Sequence, residues 1–272
     1  MYYFKIVFRN FLNHRPYSVL NLLGLCIGLC ISFVALLYVT EETGYNDSHI
    51  KSKNVYRLLS SSVHDRMLHS NRNPLESITI SDEIPEVLKV VNYIPTSNLI
   101  INGELQKEGC FYSDPRIVDV FSFDLLFGHF ESFKQDKNSI IISEKFALKY
   151  FNNLAVIGKS LNINESNFTI AAVYKDFSKK STIRPNLIIQ NKALKLYNTI
   201  IEKNDPFNTR YFQTYLLLTD NTEKKVVEGK INAISKKKHT ISLPPNYTLQ
   251  NLARVHLYSK DVSGRNNNGS IT

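Results

Sequence analysis

The chain has 272 residues, of which 43% are hydrophobic and 21% charged, and this composition excludes an intrinsically disordered protein. A mean hydropathy of −0.19 also excludes a protein that crosses a membrane along most of its length. The formal charge of +9 is spread along the chain rather than concentrated in a recognisable nucleic-acid-binding motif, so nucleic acid is not predicted as a partner.

Residues 1–17 predict a cytoplasmic amphipathic segment. Apolar residues recur there at helical spacing, while basic residues occupy another face; the apolar set is Phe4, Val7, Phe8, Phe11 and Leu12. Such a helix lies along a membrane surface, and Lys5, Arg9 and Arg15 are its predicted contacts with lipid. The alternative is an ordinary basic flank with accidental periodicity.

Residues 18–40 predict a transmembrane helix. The 25 residues between Arg15 and Glu41 carry no charged side chain. As a helix they extend roughly 37 Å, more than the ~30 Å of the hydrocarbon core. A cleavable signal peptide would have a shorter apolar region and small residues at a cleavage site. Basic residues before the helix and Glu41 and Glu42 after it predict a cytoplasmic N-terminus and an outer main domain.

One stripe of this helix carries small and polar residues, namely Asn21, Gly24, Gly28 and Ser32. Small residues allow a second helix to approach closely, and an amide in lipid favours a polar partner. The stripe therefore predicts packing against other membrane helices. The alternative is a lone helix that tolerates its glycines.

Residues 41–262 mix helical and strand patterns without strict βαβ alternation, which predicts an α+β domain. Strands are expected at Ser139–Ile142 and Tyr211–Thr219, and a hairpin joins Leu161–Asn164 to Phe168–Tyr174. Helices are expected at Ser81–Leu88, after Asp114-Pro115, from Ser143-Glu144 and at Thr222–Lys238. Residues 263–272 predict a flexible tail.

The sequence presents no constellation that predicts an enzyme. Gly158-Lys159-Ser160 resembles the end of a P-loop, but position 153 is asparagine and a helix precedes the motif, so nucleotide binding is rejected. The histidines show no HExxH spacing, the three cysteines form no CxxC pair, and no G-x-S-x-G motif occurs. No catalytic, cofactor-binding or metal-binding residue is predicted.

Several segments, in order along the chain, resemble MacB/FtsX-like ABC transporter permeases. They are Phe4-Lys5 to Ser18, Asn21 to Leu29, Tyr45-Asn46-Asp47 with Val55-Tyr56-Arg57, Ile84 to Val87, Phe111 to Phe123, Ile142 to Phe151, and Ile157 to Leu161 with Phe168 to Val173. The resemblance implies a MacB-like periplasmic domain with an inserted β-rich part at about residues 111–176. It also implies a location in the cell inner membrane, and the one apolar run in the sequence predicts a single-pass protein there.

The resemblance further implies partners: a separate ATP-binding cassette ATPase subunit, and other permease helices or a second permease copy. The implied role is transmission of ATPase-driven motion to the outer domain for export or mechanotransmission. Residues 178–185 depart from the family pattern. Family members also continue after a segment like Val255–Ser259 into three more membrane helices, so a truncated or split permease is expected here. The alternative is a single-pass extracytoplasmic binding or sensor module.

Overall fold

The computed structural model describes residues 9, 15–62, 65–203, 212–238, 245–259 and 262–263. The chain divides into two compact units, residues 1–44 and 45–272. In the first, helix α1 spans Arg15–Thr43 and, at 29 residues, is about 44 Å long. Within the described residues, α1 alone is long and apolar enough to cross a membrane, and its apolar stretch is not buried against protein. The predicted N-terminal apolar helix is confirmed.

The second unit is built on one mixed sheet of thirteen strands among the described residues. The strands are β1 Val55–Ser62, β2 Asp65–His69, β3 Asn71–Arg72, β4 Val87–Ile101, β5 Glu104–Ser113, β6 Leu125–Gly128, β7 Ser139–Ser143, β8 Ser160–Ile163, β9 Ser166–Tyr174, β10 Leu187–Gln190, β11 Phe212–Leu218, β12 Asn246–Asn251 and β13 Val262–Ser263. The main path runs β13-β2-β1-β11-β4-β5-β10-β7-β9-β6; β12 pairs with β1, β3 with β11, and β8 with both β4 and β9. The pairs β5–β10, β7–β9 and β2–β13 are parallel, and the other pairs described are antiparallel.

The helices of the second unit pack on this sheet or connect its strands. They are α2 Pro74–Glu83, α3 Ile117–Val120, α4 Phe130–Gln135, α5 Glu144–Phe151, α6 Lys195–Lys203 and α7 Lys224–Lys238. Side-chain caps define two of the starts: the Asn73 side chain accepts a bond from the Leu75 amide, and that of Ser143 from the Phe146 amide. Each cap satisfies a backbone donor that the first helical turn leaves free.

Buried apolar residues form three clusters along the sheet. Every residue of β7, β10 and β11 is buried, as expected for strands covered on both faces. Cys110, on the central strand β5, is fully inaccessible, and burial raises the pKa of its thiol. The aromatic rings of Tyr93 and Phe111 stack with centroids 4.4 Å apart in the middle of this core.

The mixed α+β fold predicted from the sequence is confirmed, with two local differences. The helix expected at Ser81–Leu88 is wrong, because α2 ends at Glu83 and β4 has begun by Val87. Pro85 disfavours helical backbone at Ile84, which is extended (φ −120°, ψ 100°). The helix expected after Asp114-Pro115 begins at Ile117, because the Asp114 carboxylate accepts the Arg116 amide in a turn that precedes it.

The other expected elements form close to their predicted limits. The hairpin is β8–β9, and its turn residues Asn164 and Glu165 both have positive φ (49° and 64°). Residues 111–176 contribute strands to the same sheet as the rest of the unit, and their delimitation as an inserted part stays a prediction. The expected tail lies outside the described residues except for Ser263, and the segment 1–17 does so except for Arg9 and residues 15–17.

Candidate functional site

The residues that follow α1 enter the second unit as a series of turns, residues 45–54, here named the juxtamembrane segment. Asn46 has φ +65°, a left-handed conformation that asparagine tolerates better than most residues. The His49 amide then donates to the Asn46 carbonyl (3.1 Å), and the Ser52 amide donates to the His49 carbonyl (2.9 Å). The segment is therefore folded back on itself before β1 begins at Val55.

The Asn46 side chain is fully buried and uses both ends of its amide. Its Oδ1 accepts hydrogen bonds from the amide and the hydroxyl of Thr182, at 2.8 and 3.0 Å. Its Nδ2 donates to the carbonyl of Leu252 at 2.9 Å, and its main-chain amide donates to the carbonyl of Lys180 at 2.8 Å. One residue thus joins two regions of the chain that lie far away in sequence.

His49 forms a second buried connection. Its Nδ1 accepts from the Ser122 amide (3.3 Å), so the proton lies on Nε2, which is 2.9 Å from the Ser181 hydroxyl. The imidazole also packs against the rings of Phe121 and Phe177, each at a centroid distance of 5.5 Å. Burial lowers the pKa of His49 to about 4, because the charged form would lose its hydration. The imidazole is therefore neutral at physiological pH.

Further bonds fix the remainder of the juxtamembrane segment. The Ile50 amide donates to the Ser122 hydroxyl (2.9 Å), and the Lys51 ammonium donates to the Asp119 carbonyl (2.8 Å). The Asn251 side chain donates to the carbonyls of Ser52 and Lys53, and the Tyr45 ring stacks on His256. The Asn54 side chain also donates to the Asp220 carboxylate, and the Asn54 carbonyl accepts from the Leu218 amide. The segment is consequently tied to four separate regions, residues 119–122, 180–182, 218–220 and 251–256.

The loop between β9 and β10, residues 176–186, is here named the strap. The Tyr174 hydroxyl donates to the Pro185 carbonyl (2.7 Å), and the Asn186 amide donates to the Gly109 carbonyl (2.7 Å). Inside the strap, the buried Ser181 hydroxyl donates to the Ile183 carbonyl (2.8 Å). The strap holds the juxtamembrane segment through Thr182, and it also borders an open cleft of about 810 Å³.

The four residues of the predicted helix-packing stripe are exposed on α1. At 100° per residue, Asn21, Gly24, Gly28 and Ser32 fall within about 80° of one another around the helix axis. The Ser32 hydroxyl donates to the Gly28 carbonyl (2.8 Å), and a Cβ added at either glycine would contact nothing within 4 Å. The geometry leaves this face accessible to another helix, and packing there stays a prediction.

The predicted lipid contacts fall at the edge of the described chain. Arg9 is helical and exposed, and Arg15 is the first residue of α1. Lys5 lies outside the described residues. Within the described part of the chain, no group of three or more His, Cys, Asp or Glu side chains is placed to hold a metal ion.

The sequence interpretation did not single out Asn46, His49 or Thr182 as site residues. One signal was available, since Tyr45-Asn46-Asp47 belongs to the segments that carry the family resemblance. The bonds of Asn46 and His49 with Thr182 and Ser181 span more than 130 positions, and local patterns do not predict such contacts.

The fold defines an α+β domain that follows one apolar helix, and comparisons with known proteins place it in a family. The sequence model of the MacB-like periplasmic core domain matches residues 18–234. The chain therefore belongs to this family, and the resemblance to ABC transporter permeases is confirmed. Together with the apolar helix, this membership indicates a membrane protein with an extracytoplasmic domain. Among curated proteins, none matches the sequence.

Solved structures share the fold of this chain. They include a domain of a Porphyromonas gingivalis protein that is described as a permease (18% identity, TM-score 0.63, covering 75% of this chain and 91% of that one). The periplasmic region of MacB from Actinobacillus actinomycetemcomitans is 15% identical (TM-score 0.53, 78% and 95% covered). The extracellular domain of the noncanonic ABC-type transporter YknZ from Gram-positive bacteria is also 15% identical (TM-score 0.53, 73% and 100% covered).

Proposed function

We propose that this chain is a membrane permease component of a MacB/FtsX-type ABC transporter, and that it transmits ATPase-driven motion to its outer domain without being an enzyme itself. The observation that carries this proposal is the bonding of the juxtamembrane segment. Buried side chains join Asn46 and His49 to the strap and to residues 119–122. A displacement that reaches Tyr45 would therefore be passed to several parts of the sheet at once.

The physical argument depends on stiffness. A flexible linker rich in glycine and serine would absorb a displacement as a change in its own conformation. Here the residues after Gly44 form successive hydrogen-bonded turns with buried partners. Buried, hydrogen-bonded segments open only together with the structure around them, so they move as part of it. This is the property that mechanical coupling requires.

The proposal includes a location and a topology. We place residues 1–17 at the cytoplasmic surface of the inner membrane, with Lys5, Arg9 and Arg15 against anionic lipid, and residues 18–40 across the bilayer. Residues 41–262 then form the periplasmic domain. The partners are a separate ATP-binding cassette ATPase and further permease helices or a second permease copy, which pack on the stripe of Asn21, Gly24, Gly28 and Ser32.

Co-purification tests the partners. Tagged chain is extracted in mild detergent from its native host, and ATP-binding subunits in the eluate are quantified by mass spectrometry. The double variant Gly24→Leu with Gly28→Leu blocks close helix approach, whereas Cys26→Leu with Cys30→Leu adds bulk about 160° away on the same helix. We expect the glycine variant to recover at least tenfold less ATP-binding subunit than the native chain, and the cysteine variant to recover as much as the native chain. Equal recovery of the ATPase with both variants would count against the stripe as a helix contact.

Transmission is tested separately in the purified complex. Hydrogen exchange of residues 176–186 is compared with and without ATP, using a hydrolysis-deficient ATPase as the control. We expect ATP to change exchange in the strap only when hydrolysis is possible. A complex that hydrolyses ATP while exchange in the strap stays constant would refute the transmission role.

One observation favours the rival function, a membrane-anchored binding or sensor module. The cleft beside the strap is large enough for a ligand. A binding module would retain a ligand in the cleft yet recover no ATP-binding subunit in the co-purification experiment. The same extraction therefore discriminates between the two functions.

A further inference from the structure

The cleft of about 810 Å³ has three walls: the strap, the N-terminal end of α5, and the bend of the β4–β5 hairpin. A β-bulge produces that bend. Thr96 pairs with Cys110 and Asn98 pairs with Lys107, so Glu108 and Gly109 on β5 lie opposite Ser97 alone. A bulge bends a strand and re-aims its side chains. Glu108 is buried, and its carboxylate accepts hydrogen bonds from the Lys149 ammonium, the Tyr150 hydroxyl and the Asn186 side-chain amide.

The strap packs against the hairpin at this bulge. A Cβ at Gly109 would be in ordinary van der Waals contact with it, 3.7 Å from the Arg184 carbonyl oxygen and 3.8 Å from the Asn186 amide nitrogen. The Asn186 amide donates to the Gly109 carbonyl. The bulge and this hydrogen bond therefore hold two walls of the cleft together.

The cleft carries an excess of positive charge. Lys145, Lys179 and Arg184 line it and are exposed, and Asp176 is the acidic residue among the lining side chains. Among the described residues, none of the three cations forms an ion pair; Arg184 donates one hydrogen bond, to the Lys179 carbonyl (3.1 Å). A recess lined by unpaired cations concentrates the local field and attracts anionic groups.

Apolar groups complete the lining. The rings of Phe111 and Phe177 and the prolines Pro95 and Pro185 face the same space. The volume lies within the range of ligand pockets and far exceeds what one inorganic anion occupies. Exposed cationic groups and less exposed aromatic rings in one cleft fit a ligand that alternates acidic and apolar groups along an extended chain.

We propose that this cleft binds an extended acidic peptide segment of a partner protein. The peptide's carboxylates lie against Lys145, Lys179 and Arg184, and an apolar side chain packs on Phe111 and Phe177. The concave form of the site favours a peptide over a lipid surface, because a bilayer contacts protruding basic residues rather than a recess. This inference deepens the proposed function by naming the chemistry of an outer-domain partner.

The strap connects this site to the juxtamembrane segment, and this part of the inference rests on the proposed function. Thr182 lines the cleft and also donates two hydrogen bonds to Asn46. Phe177 lines the cleft and packs against His49. A peptide that orders the strap would thus also stabilise the juxtamembrane segment.

Binding is tested on the full chain in detergent micelles, without any ATPase. The probe is a fluorescein-labelled hexapeptide of alternating glutamate and leucine, followed by anisotropy, with the lysine–leucine counterpart as the charge control. The variant Lys145→Glu/Lys179→Glu/Arg184→Glu reverses the cleft charge. The matched control Lys225→Glu/Lys236→Glu/Lys237→Glu makes the same charge change on exposed residues of α7.

We expect the cleft variant to bind the acidic probe at least tenfold more weakly, with less than a twofold change in the control. Added salt should weaken binding to the native chain severalfold, since exposed charges are screened. No binding of the acidic probe, or equal loss in both variants, would overturn the proposal. Displacement of the probe by phosphatidylglycerol vesicles or by millimolar inorganic phosphate would also overturn it in favour of a lipid or a simple anion.

Hydrogen exchange tests the coupling. The acidic probe should slow exchange at residues 180–183 and also in residues 46–52, and Asn46→Ala should remove the second effect alone. Protection confined to the strap in the native chain would overturn the coupling. Because no ATPase is present, these results are distinguishable from failure of the proposed transport role, which the ATP-dependent measurement decides.

Discussion

Replacement of Asn46 by alanine measures how much the bonds of the juxtamembrane segment contribute to the free energy of unfolding. The change removes three hydrogen bonds and leaves the Thr182 amide and the Leu252 carbonyl without their partner in a buried site. Unsatisfied buried groups cost about 1–3 kcal/mol each, so the two together account for about 3 kcal/mol. Alanine at φ +65° adds about 1 kcal/mol of backbone strain. We expect a total loss of about 4 kcal/mol of unfolding free energy.

The measurement is thermal unfolding of the full chain in detergent, followed by circular dichroism. For a unit of this size, about 4 kcal/mol corresponds to a fall in Tm of roughly 8–16 °C. Asn221→Ala is the matched control, because Asn221 has a similar left-handed conformation (φ 60°) but is exposed. The control should lose only about 1 kcal/mol, from strain. A loss at Asn46 no larger than at Asn221 would refute the assigned role of its side-chain bonds.

Three further outcomes are expected. Because the folded-state pKa of His49 is about 4 rather than 6.5, protons favour the unfolded state below pH 6.5, so stability should fall by about 3 kcal/mol between pH 6.5 and 4. Denaturation at several pH values should show this slope in the native chain and a flatter curve in His49→Gln; equal slopes would contradict it. Gly128→Ala should prevent folding or cost more than about 3 kcal/mol of unfolding free energy, since the added Cβ would lie 2.1 Å from the Ala171 carbonyl oxygen. The control Gly158→Ala has nearly the same positive φ but open space around the added Cβ, so it should cost about 1–2 kcal/mol. Similar yields and stabilities of the two folded variants would refute this prediction. Burial opposes ionisation of Glu108, but hydrogen bonds from its partners outweigh it and hold its pKa below the usual value, so its contribution is present at pH 7 and lost as the pH falls through the folded-state pKa. Glu108→Gln should therefore be less stable than the native chain at pH 7, and the difference should shrink in acid; a difference independent of pH would contradict this.

Elements defined by local patterns were predictable from the sequence. The run without charges predicts α1, and Ser143-Glu144 predicts the start of α5, where the serine hydroxyl does cap the helix. The hairpin β8–β9 follows from two apolar runs around a polar turn. In each case the residues that predict the element belong to the element itself or lie next to it, so the prediction does not depend on tertiary contacts.

Elements that depend on distant partners were not predictable in the same way. Strand β4 is 15 residues long and contains Pro95, and its buried residues follow no simple alternation. Its pairing shifts register against both neighbours, β11 and β5, and a local pattern does not show where such shifts occur. Asparagine followed by proline is a recognisable signal for a helix start, and α2 does begin there, at Asn73-Pro74. The helix start predicted from the sequence was Ser81 instead, and this signal was not used. The contacts of Asn46 and His49 with the strap join segments separated by more than 130 residues, and only the folded sheet brings them together.

The inaccessible thiol on β5 has a practical consequence. A thiolate must form and meet a reagent before alkylation proceeds, and the burial of Cys110 opposes both steps. In a variant with Cys26 and Cys30 replaced by serine, Cys110 would be the sole thiol of the chain, and its alkylation would report how often the sheet opens. The rate of Cys110 alkylation, followed by mass spectrometry, would therefore measure opening of the sheet in intact membranes, where optical methods fail.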